Sequence, residues 1–304
     1  MATFKPWHKE EIVVQDGRTV EAIAPVILSA SRASDVPAFH GDWFMSRIRA
    51  GYFKWINPFN ANQVQVVSLS KARVVVFWSK NPQPLIKDLD ELDQRGIHYY
   101  FQFTVNDYET EGYEPHVPPL MARMDTFKRL ADRIGPDRVI WRMDPLLLTS
   151  QVGIPELLGK TEKIAAQLAG HTRKMVFSYA DIKAYAAVQR NLNKAETGAR
   201  EFTTEEMNEI AGGMVAVAKA NSIGEISTCA ERLDQEILGV MHNRCIDDEL
   251  MIRLWSDDRP LMDFLGYEGK SLFGERERPT FKDKGQRKEC GCIVSKDIGR
   301  YGTC

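Results

Sequence analysis

The residues of this chain with the clearest capacity for chemistry are its five cysteines. Cys229 and Cys245 lie apart from each other, whereas Cys290, Cys292 and Cys304 fall within the last fifteen residues. A free cysteine is usually a small buried hydrophobic residue, and for Cys245 alone that interpretation is preferred. Three cysteines in a hydrophilic segment are harder to explain as buried hydrophobic residues. The Cys-x-Cys spacing of Cys290 and Cys292 would let two thiolates bind one metal ion.

These cysteines therefore predict a metal centre. An odd number of cysteines in a chain expected to be cytosolic argues against a disulfide framework. The spacing suits zinc and iron–sulfur equally, so the identity of the metal stays open on this evidence. The six histidines show neither HxH nor HExxH spacing, which disfavours a zinc hydrolase built from histidines.

A second set of candidates consists of polar residues that directly follow short apolar runs. In a (β/α) barrel the functional side chains stand at the carboxyl ends of the strands, which is where such residues would lie. We predict a substrate or cofactor site from these residues, which are Ser31, Arg32, Asp35, Asn57, Asn60, Lys80, Asn81, Gln102, Arg142, Asp144, Ser178, Asp181 and Glu231.

Arg142, Asp144 and Lys80 are the candidate catalytic residues. Arg142 and Asp144 are two apart on a predicted strand, so both side chains point to the same face of the sheet. If that face is buried, the two charges must be paired with each other or bind a substrate. A structural ion pair and a substrate clamp explain the Arg142–Asp144 pattern equally well. Asp35 and Asp181 have an equally good alternative role as helix N-caps.

The elements that must position these residues alternate along the chain. A hairpin is expected around Asp16 and Gly17, and an eighth strand is expected after Met251. A capping box is predicted at Thr204 or one residue earlier. Continuous apolar runs predict strands at 26–30, 54–56, 74–78, 99–103, 139–143, 174–178 and 225–228. Helical spacing of apolar residues predicts helices around 43–48 and at 85–95, 120–134, 156–168 and 204–220.

This order predicts a (β/α) TIM-type barrel or partial barrel. An open doubly wound sheet is the alternative, but no GxGxxG turn follows the first strand. We divide the chain into an amino-terminal segment, 1–22, a barrel domain, 23–267, and a cysteine-containing tail, 268–304.

Composition narrows the class of protein. Forty basic and forty-two acidic residues give a net charge of −2, so nucleic acid is neither excluded nor indicated as a partner. The amino terminus lacks a signal-peptide pattern, and no apolar run is long enough to span a membrane. We therefore expect a cytoplasmic protein without a membrane partner. GxSxG and GxxxxGK[ST] motifs are absent, which disfavours the commonest acyl-transfer and nucleotide-hydrolysis enzymes.

Several segments together resemble a bacterial family known as domain of unknown function 1848. They are SASRASDVPAF, GYFKWINPFN, VVFWSKNP, YYFQFT, RVIWRMDPLLL, TCAE and CGCIVSKDIGRYGTC, and they cover nearly the whole chain. In that family the sequence continues beyond the cysteine matching Cys304 into a CxxxCxxC motif. That motif is similar to the iron–sulfur ligand set of radical S-adenosylmethionine enzymes.

The resemblance thus implies an iron–sulfur barrel protein, with S-adenosylmethionine as a further cofactor and an unknown substrate. This chain supplies only the first cysteine of the motif, so the radical centre is expected to be incomplete in it. Two alternatives remain. One is a structural or sensor protein in which Cys229, Cys245, Cys290 and Cys292 bind zinc. The other is a metal-free barrel hydrolase that uses Arg142, Asp144 and Asp181.

Overall fold

The computed structural model describes residues 7–57, 60–229, 231, 236–268, 282–283, 286–300 and 302–303. Over these residues the chain forms a mixed α/β fold with a mostly parallel sheet and a smaller, largely antiparallel one. No helix in this part of the chain is both long and apolar enough to cross a membrane.

The strands and helices are named here in chain order. The strands are β1 His8–Val13, β2 Thr19–Ala24, β3 Ile27–Ala30, β4 Tyr52–Asn57, β5 Asn60–Ser68, β6 Val74–Ser79, β7 His98–Thr104, β8 Val139–Leu146, β9 Lys174–Tyr179, β10 Glu225–Thr228, β11 Met241–His242 and β12 Lys296–Asp297. The α-helices are α1 Val36–Phe39, α2 Gly41–Ala50, α3 Leu89–Gln94, α4 Leu120–Ile134, α5 Ile154–Leu168, α6 Ala186–Lys194, α7 Thr204–Ala220, α8 Asp248–Trp255 and α9 Arg259–Leu265. Short 3₁₀ helices cover Gln83–Asp88, Pro136–Arg138 and Glu236–Leu238.

The larger sheet has eight strands in the order β11-β10-β9-β8-β7-β6-β3-β12. Its central strands are short apolar runs buried on both faces, as expected for parallel strands covered by crossover helices. The strand order has two ends, so the sheet of the described residues is open. The parallel α/β arrangement that we predicted is confirmed, but the closed ring of a TIM barrel is not seen in it.

The chain divides into two compact units. The first comprises residues 1–100, 244–286 and 291–304, and the second comprises 101–243 and 287–290. In the first unit, β3 pairs in parallel with β6 and with β12, beside the smaller sheet of order β1-β2-β5-β4. In the second unit, β8, β9, β10 and β11 follow β7 in parallel register.

The smaller sheet corrects one prediction. The hairpin around Asp16 and Gly17 is confirmed, since β1 pairs with β2 and Gly17 has a φ of 81°. The predicted strand at 54–56 is β4, but β4 pairs antiparallel with β5 and is not part of the parallel sheet. Asn57 therefore ends β4 and Asn60 begins β5, so neither lies at the carboxyl end of a parallel strand.

The eighth strand that we expected after Met251 is β12, which pairs in parallel with β3. The residues directly after Met251 are helical, because Asp247 and Asp258 cap α8 and α9 through hydrogen bonds to backbone N–H groups. The helices predicted at 120–134 and 204–220 have those bounds. The capping box of α7 uses Thr203 and Glu206, one residue earlier than Thr204.

Candidate functional site

In the second unit, polar side chains meet at the carboxyl ends of β7, β8 and β9. Arg142 is buried, and its Nη1 donates to Gln102 Oε1 at 3.2 Å while its Nε donates to Asp144 Oδ2 at 2.8 Å. Ser178 Oγ donates to the other carboxylate oxygen of Asp144. Three neighbouring parallel strands supply this network, since β7 contributes Gln102, β8 contributes Arg142 and Asp144, and β9 contributes Ser178. The predicted pairing of Arg142 with Asp144 is confirmed; Arg142 is buried and Asp144 is half-buried.

Glu231 lies just beyond the end of β10 in the same unit. It is only 7% exposed, and its Oε1 accepts a hydrogen bond from the Tyr179 N–H at 3.2 Å. Burial raises the pKa of Glu231 to about 7; the Tyr179 N–H opposes this rise, whereas the nearby carboxylates of Asp181 and Asp144 add to it. A carboxyl group with a pKa near neutral can both accept and donate a proton at physiological pH.

Asp181 forms an ion pair instead of capping a helix. Arg287 Nη1 donates to Asp181 Oδ2 at 2.5 Å, and Arg287 Nη2 donates to the Tyr185 hydroxyl at 2.7 Å. The alternative of Asp181 as an N-cap is wrong, since Tyr185 occupies that position for α6. Both partners are well exposed, so this pair contributes at most about 1 kcal/mol to stability.

The first unit has its own group of polar residues, at the carboxyl ends of β3 and β6. Asp35 caps α1, because its Oδ1 accepts from the Ala38 N–H at 3.0 Å. Its Oδ2 accepts from the Lys80 N–H at 2.7 Å, which fixes the turn after β6. Burial raises the pKa of Asp35 above its ordinary value, although these hydrogen bonds and one from Ser79 act against the rise. The role of Asp35 as an N-cap is thus confirmed.

Arg32 lies in this group with its guanidinium largely buried. Nη1 donates to Asp283 Oδ2 at 3.0 Å, and the guanidinium carbon is 5.7 Å from the centre of the Trp78 ring. Nη2 is buried without a hydrogen-bond partner among the described residues. Burial acts to lower the pKa of Arg32, but the charges of Cys292, Asp283 and Asp297 raise it above its ordinary value.

The sulfur of Cys292 accepts hydrogen bonds from two backbone N–H groups. Cys292 is 2% exposed, and its Sγ accepts from the backbone N–H of Cys245 at 3.1 Å and of Ile246 at 3.4 Å. Two backbone donors and a nearby guanidinium favour the anionic form of a sulfur, which is the form that binds metals. Cys245 is also buried, and its carbonyl accepts from the Tyr100 hydroxyl at 2.6 Å.

The segment 291–300 is built into the first unit. Strand β12 pairs with β3, and the Arg32 N–H donates to Asp297 Oδ2 at 2.9 Å. Gly299 contacts Ser31 so closely that an added Cβ would lie 1.8 Å from Ser31 Oγ. Ser31 is therefore covered by this segment, which we predicted to be only a tail beyond the barrel.

The predicted site residues thus separate into two groups. Gln102, Arg142, Asp144 and Ser178 form one network in the second unit, where Asp181 and Glu231 also lie. Ser31, Arg32, Asp35, Lys80 and Asn81 belong to the first unit. Their convergence at one common mouth stays a prediction. Sequence reasoning missed Asp283 and Arg287, whose only signal was their place in a charged, cysteine-containing segment.

The predicted cysteine ligands are placed as follows. Cys229 is half-buried and Cys290 is buried, both in the second unit, whereas Cys245 and Cys292 lie together in the first. Cys304 lies outside the described residues. Among the residues that are described, no group of three or more His, Cys, Asp or Glu side chains could hold a metal ion. The metal centre stays a prediction.

The fold and these polar groups define a mixed α/β protein with charged residues at the carboxyl ends of parallel strands. A family model described as Domain of unknown function (DUF1848) matches residues 27–304, so the chain belongs to that family. The resemblance found in the sequence is thereby confirmed. No curated protein matches the chain, and no solved structure matches it either.

Proposed function

We propose that this chain is an iron–sulfur enzyme similar to the radical S-adenosylmethionine class, built on a partial (β/α) barrel and acting on an unknown substrate. The observation that carries the proposal is the environment of Cys292. Its sulfur accepts two backbone N–H hydrogen bonds in a buried position, which is how proteins commonly stabilise cluster thiolates.

Cys245 and Cys292 are the two described thiols of the first unit that would hold a thiolate-bound group, and among the described residues no third His, Cys, Asp or Glu side chain completes a metal site with them. A bound iron–sulfur cluster supplies one-electron transfer. The residues of the chain would keep the sulfurs anionic, exclude water from them and compensate their charge.

The network at the ends of β7, β8 and β9 would bind and orient the substrate. Asp144 and Gln102 hold the guanidinium of Arg142 in a fixed direction, so Arg142 is pre-organised to attract a negative charge. Glu231 is the group suited to move a proton, because its pKa lies near neutral. Lys80 remains a proposed catalytic residue of the first unit.

The test is anaerobic purification followed by iron, sulfide and zinc analysis and visible spectroscopy. Iron with acid-labile sulfide, lost in Cys292→Ser and Cys245→Ser, supports the proposal. A colourless protein containing one equivalent of zinc supports a structural zinc site instead, and a chain that holds neither metal refutes both. Ser46→Ala on α2 is the control, because the half-buried Ser46 hydroxyl accepts a hydrogen bond from Arg47 Nη2 and takes no part in the contacts described for Cys245 and Cys292.

A metal-free hydrolase is the second candidate. It is favoured by the ion pair of Arg142 and Asp144, with Ser178 bonded to the same carboxylate and Glu231 in the same unit. This enzyme would retain activity toward ester, amide or phosphoester substrates when all five cysteines are replaced by serine. Activity that disappears in this folded variant but survives in Glu231→Gln would argue against the hydrolase.

A further inference from the structure

We propose that Lys296 is a nucleophilic amine that binds a carbonyl compound, an aldehyde or a ketone, as an imine. The inference goes beyond the proposed function, because imine formation requires neither a metal nor a cluster. It rests on contacts of Lys296 with Trp55 and Gln65, all of them within the first unit.

The position of Lys296 is fixed by both sheets of this unit. Lys296 is the first residue of β12, which pairs in parallel with β3 and places Lys296 opposite Leu28. Its side chain reaches the smaller sheet, where Trp55 of β4 and Gln65 of β5 lie directly opposite each other. Nζ donates to Gln65 Oε1 at 2.9 Å and lies 3.3 Å from the centre of the Trp55 ring. The amine is therefore held near the carboxyl end of β3, and functional groups of parallel α/β sheets lie at that end.

The neighbours of the amine carry no formal charge. Among the described residues, no Asp or Glu forms an ion pair with Lys296. The carboxylate of the adjacent Asp297 is used elsewhere, since Oδ2 accepts from the Arg32 N–H at 2.9 Å and Oδ1 accepts from the Gly299 N–H at 2.9 Å. Lys296 is half-buried, so part of its hydration is lost without a carboxylate contact in return. Such surroundings favour the neutral form of an amine.

The pKa of Lys296 agrees with these contacts. Burial lowers this pKa to about 8, although the charge of Asp297 acts to raise it. The face of the Trp55 ring favours the charged form too, and burial opposes both. At pH 7 about one tenth of an amine with a pKa of about 8 is neutral, against less than about one thousandth for an ordinary lysine with a pKa of about 10.4. The neutral amine is the form that attacks a carbonyl carbon.

The reaction needs only proton transfers. Nζ attacks the carbonyl carbon, a C–N bond forms, and one proton moves from the nitrogen to the oxygen to give a carbinolamine. The C–O bond then breaks, the second proton leaves the nitrogen, and water departs, so that amine and carbonyl become imine and water. Nothing is oxidised or reduced in this exchange, and the imine returns to the free amine when water adds to it.

The experiment traps the imine on the full chain with acetaldehyde as the probe and cyanoborohydride as the reductant. Peptide mass spectrometry then gives the rate of ethylation of each lysine as a function of pH. Lys71 and Lys194 are the reference residues, because both are exposed. At pH 7 we expect Lys296 to react at least about tenfold faster than either reference. Its rate should reach half of its maximum near pH 8.

Gln65→Glu is the decisive variant, because it places a carboxylate where Nζ now meets a neutral amide oxygen. The new ion pair should hold the amine in its charged form and slow the ethylation of Lys296 at least about tenfold at pH 7. Gln94→Glu is the matched control, since Gln94 is exposed at the end of α3 and the change in charge is the same. Circular dichroism establishes that both variants are folded.

A Lys296 that reacts no faster than Lys71 and Lys194 overturns the inference and leaves the residue as a group that only attaches β12 to the smaller sheet. A fast reaction that Gln65→Glu does not slow overturns it as well, because the contacts described here would then not be its cause. If Gln65→Glu does not fold, the pH profile of the wild type decides, and a half-maximum above about pH 10 refutes the inference. Iron content tests the proposed function separately, since neither result of the trapping depends on it.

Discussion

The ion pair of Arg142 and Asp144 lends itself to a double-mutant cycle that separates a structural role from a functional one. Arg142→Met leaves the Asp144 carboxylate with Ser178, and Asp144→Ala leaves a buried guanidinium with Gln102. We expect each single substitution to destabilise the protein strongly. The double variant should be more stable than the sum of the two losses predicts, because it leaves neither charge unpaired.

The magnitude follows from burial and distance. The side chains of Arg142 and Asp144 are 5% and 21% exposed, so most of their hydration is lost in the folded protein. At an effective dielectric constant of about 20, two unit charges about 4 Å apart attract each other by about 4 kcal/mol. Each single variant should therefore lose about 3–5 kcal/mol, and the coupling energy should be about 2–4 kcal/mol.

Urea unfolding followed by circular dichroism measures the free energies of the four proteins of the cycle. Arg129→Gln is the control, since Arg129 and Asp125 form an exposed pair on α4 whose loss should cost less than about 1 kcal/mol. Additive losses, or single losses below about 1 kcal/mol, would refute the reasoning. A double variant that is folded but no longer binds substrate would show that the pair has a functional role besides its structural one.

Three further outcomes are expected. Gly299→Ala should destabilise the first unit by about 1–3 kcal/mol in thermal unfolding, because its Cβ would overlap Ser31 Oγ; unchanged stability would show that the segment is not docked there. Gly212→Ala on α7 should stabilise the protein by about 1 kcal/mol, since nothing lies within 4 Å of its added Cβ; a loss would contradict the helix assignment. The pKa of Glu231 is about 4.5 in the unfolded chain and is raised to about 7 in the folded protein. The protonated side chain therefore stabilises the fold fully below about pH 4.5, and this contribution is lost as the pH rises through about 7. Glu231→Gln cannot ionise, so its free energy of unfolding relative to that of the wild type should be higher at pH 8 than at pH 5. Equal differences in the free energy of unfolding, measured by urea titration at the two pH values, would exclude the raised pKa.

Local patterns were sufficient to predict most of the parallel strands. The runs at 74–78 and 139–143 are continuously apolar, and such runs suit strands that are buried on both faces. The pairing of Arg142 and Asp144 could be predicted for a similar reason, because residues two apart on a strand share a face wherever the strand lies. Neither inference required knowledge of a distant segment.

Features that depend on distant partners could not be predicted in this way. β4 has the sequence of an ordinary strand, and only its pairing with β5 places it in the antiparallel sheet. The contacts of Arg32 with Asp283 and Asp297 join residues more than 250 positions apart in the sequence, so no local pattern reports them. β12 has only two residues, so its strand conformation depends on its pairing with the edge of β3 and not on its own sequence.

The pairing of β12 with β3 also has a consequence for how the chain is made. Ser29 in β3 and Ser295 beside β12 are hydrogen-bonded to each other across 266 positions in the sequence. At a synthesis rate of about 5–20 residues per second, β3 leaves the ribosome roughly 15–50 seconds before this partner exists. During that time one backbone edge of β3 can pair with another nascent chain. Slowing translation should therefore increase aggregation of newly made protein, and a chaperone that binds extended segments should reduce it.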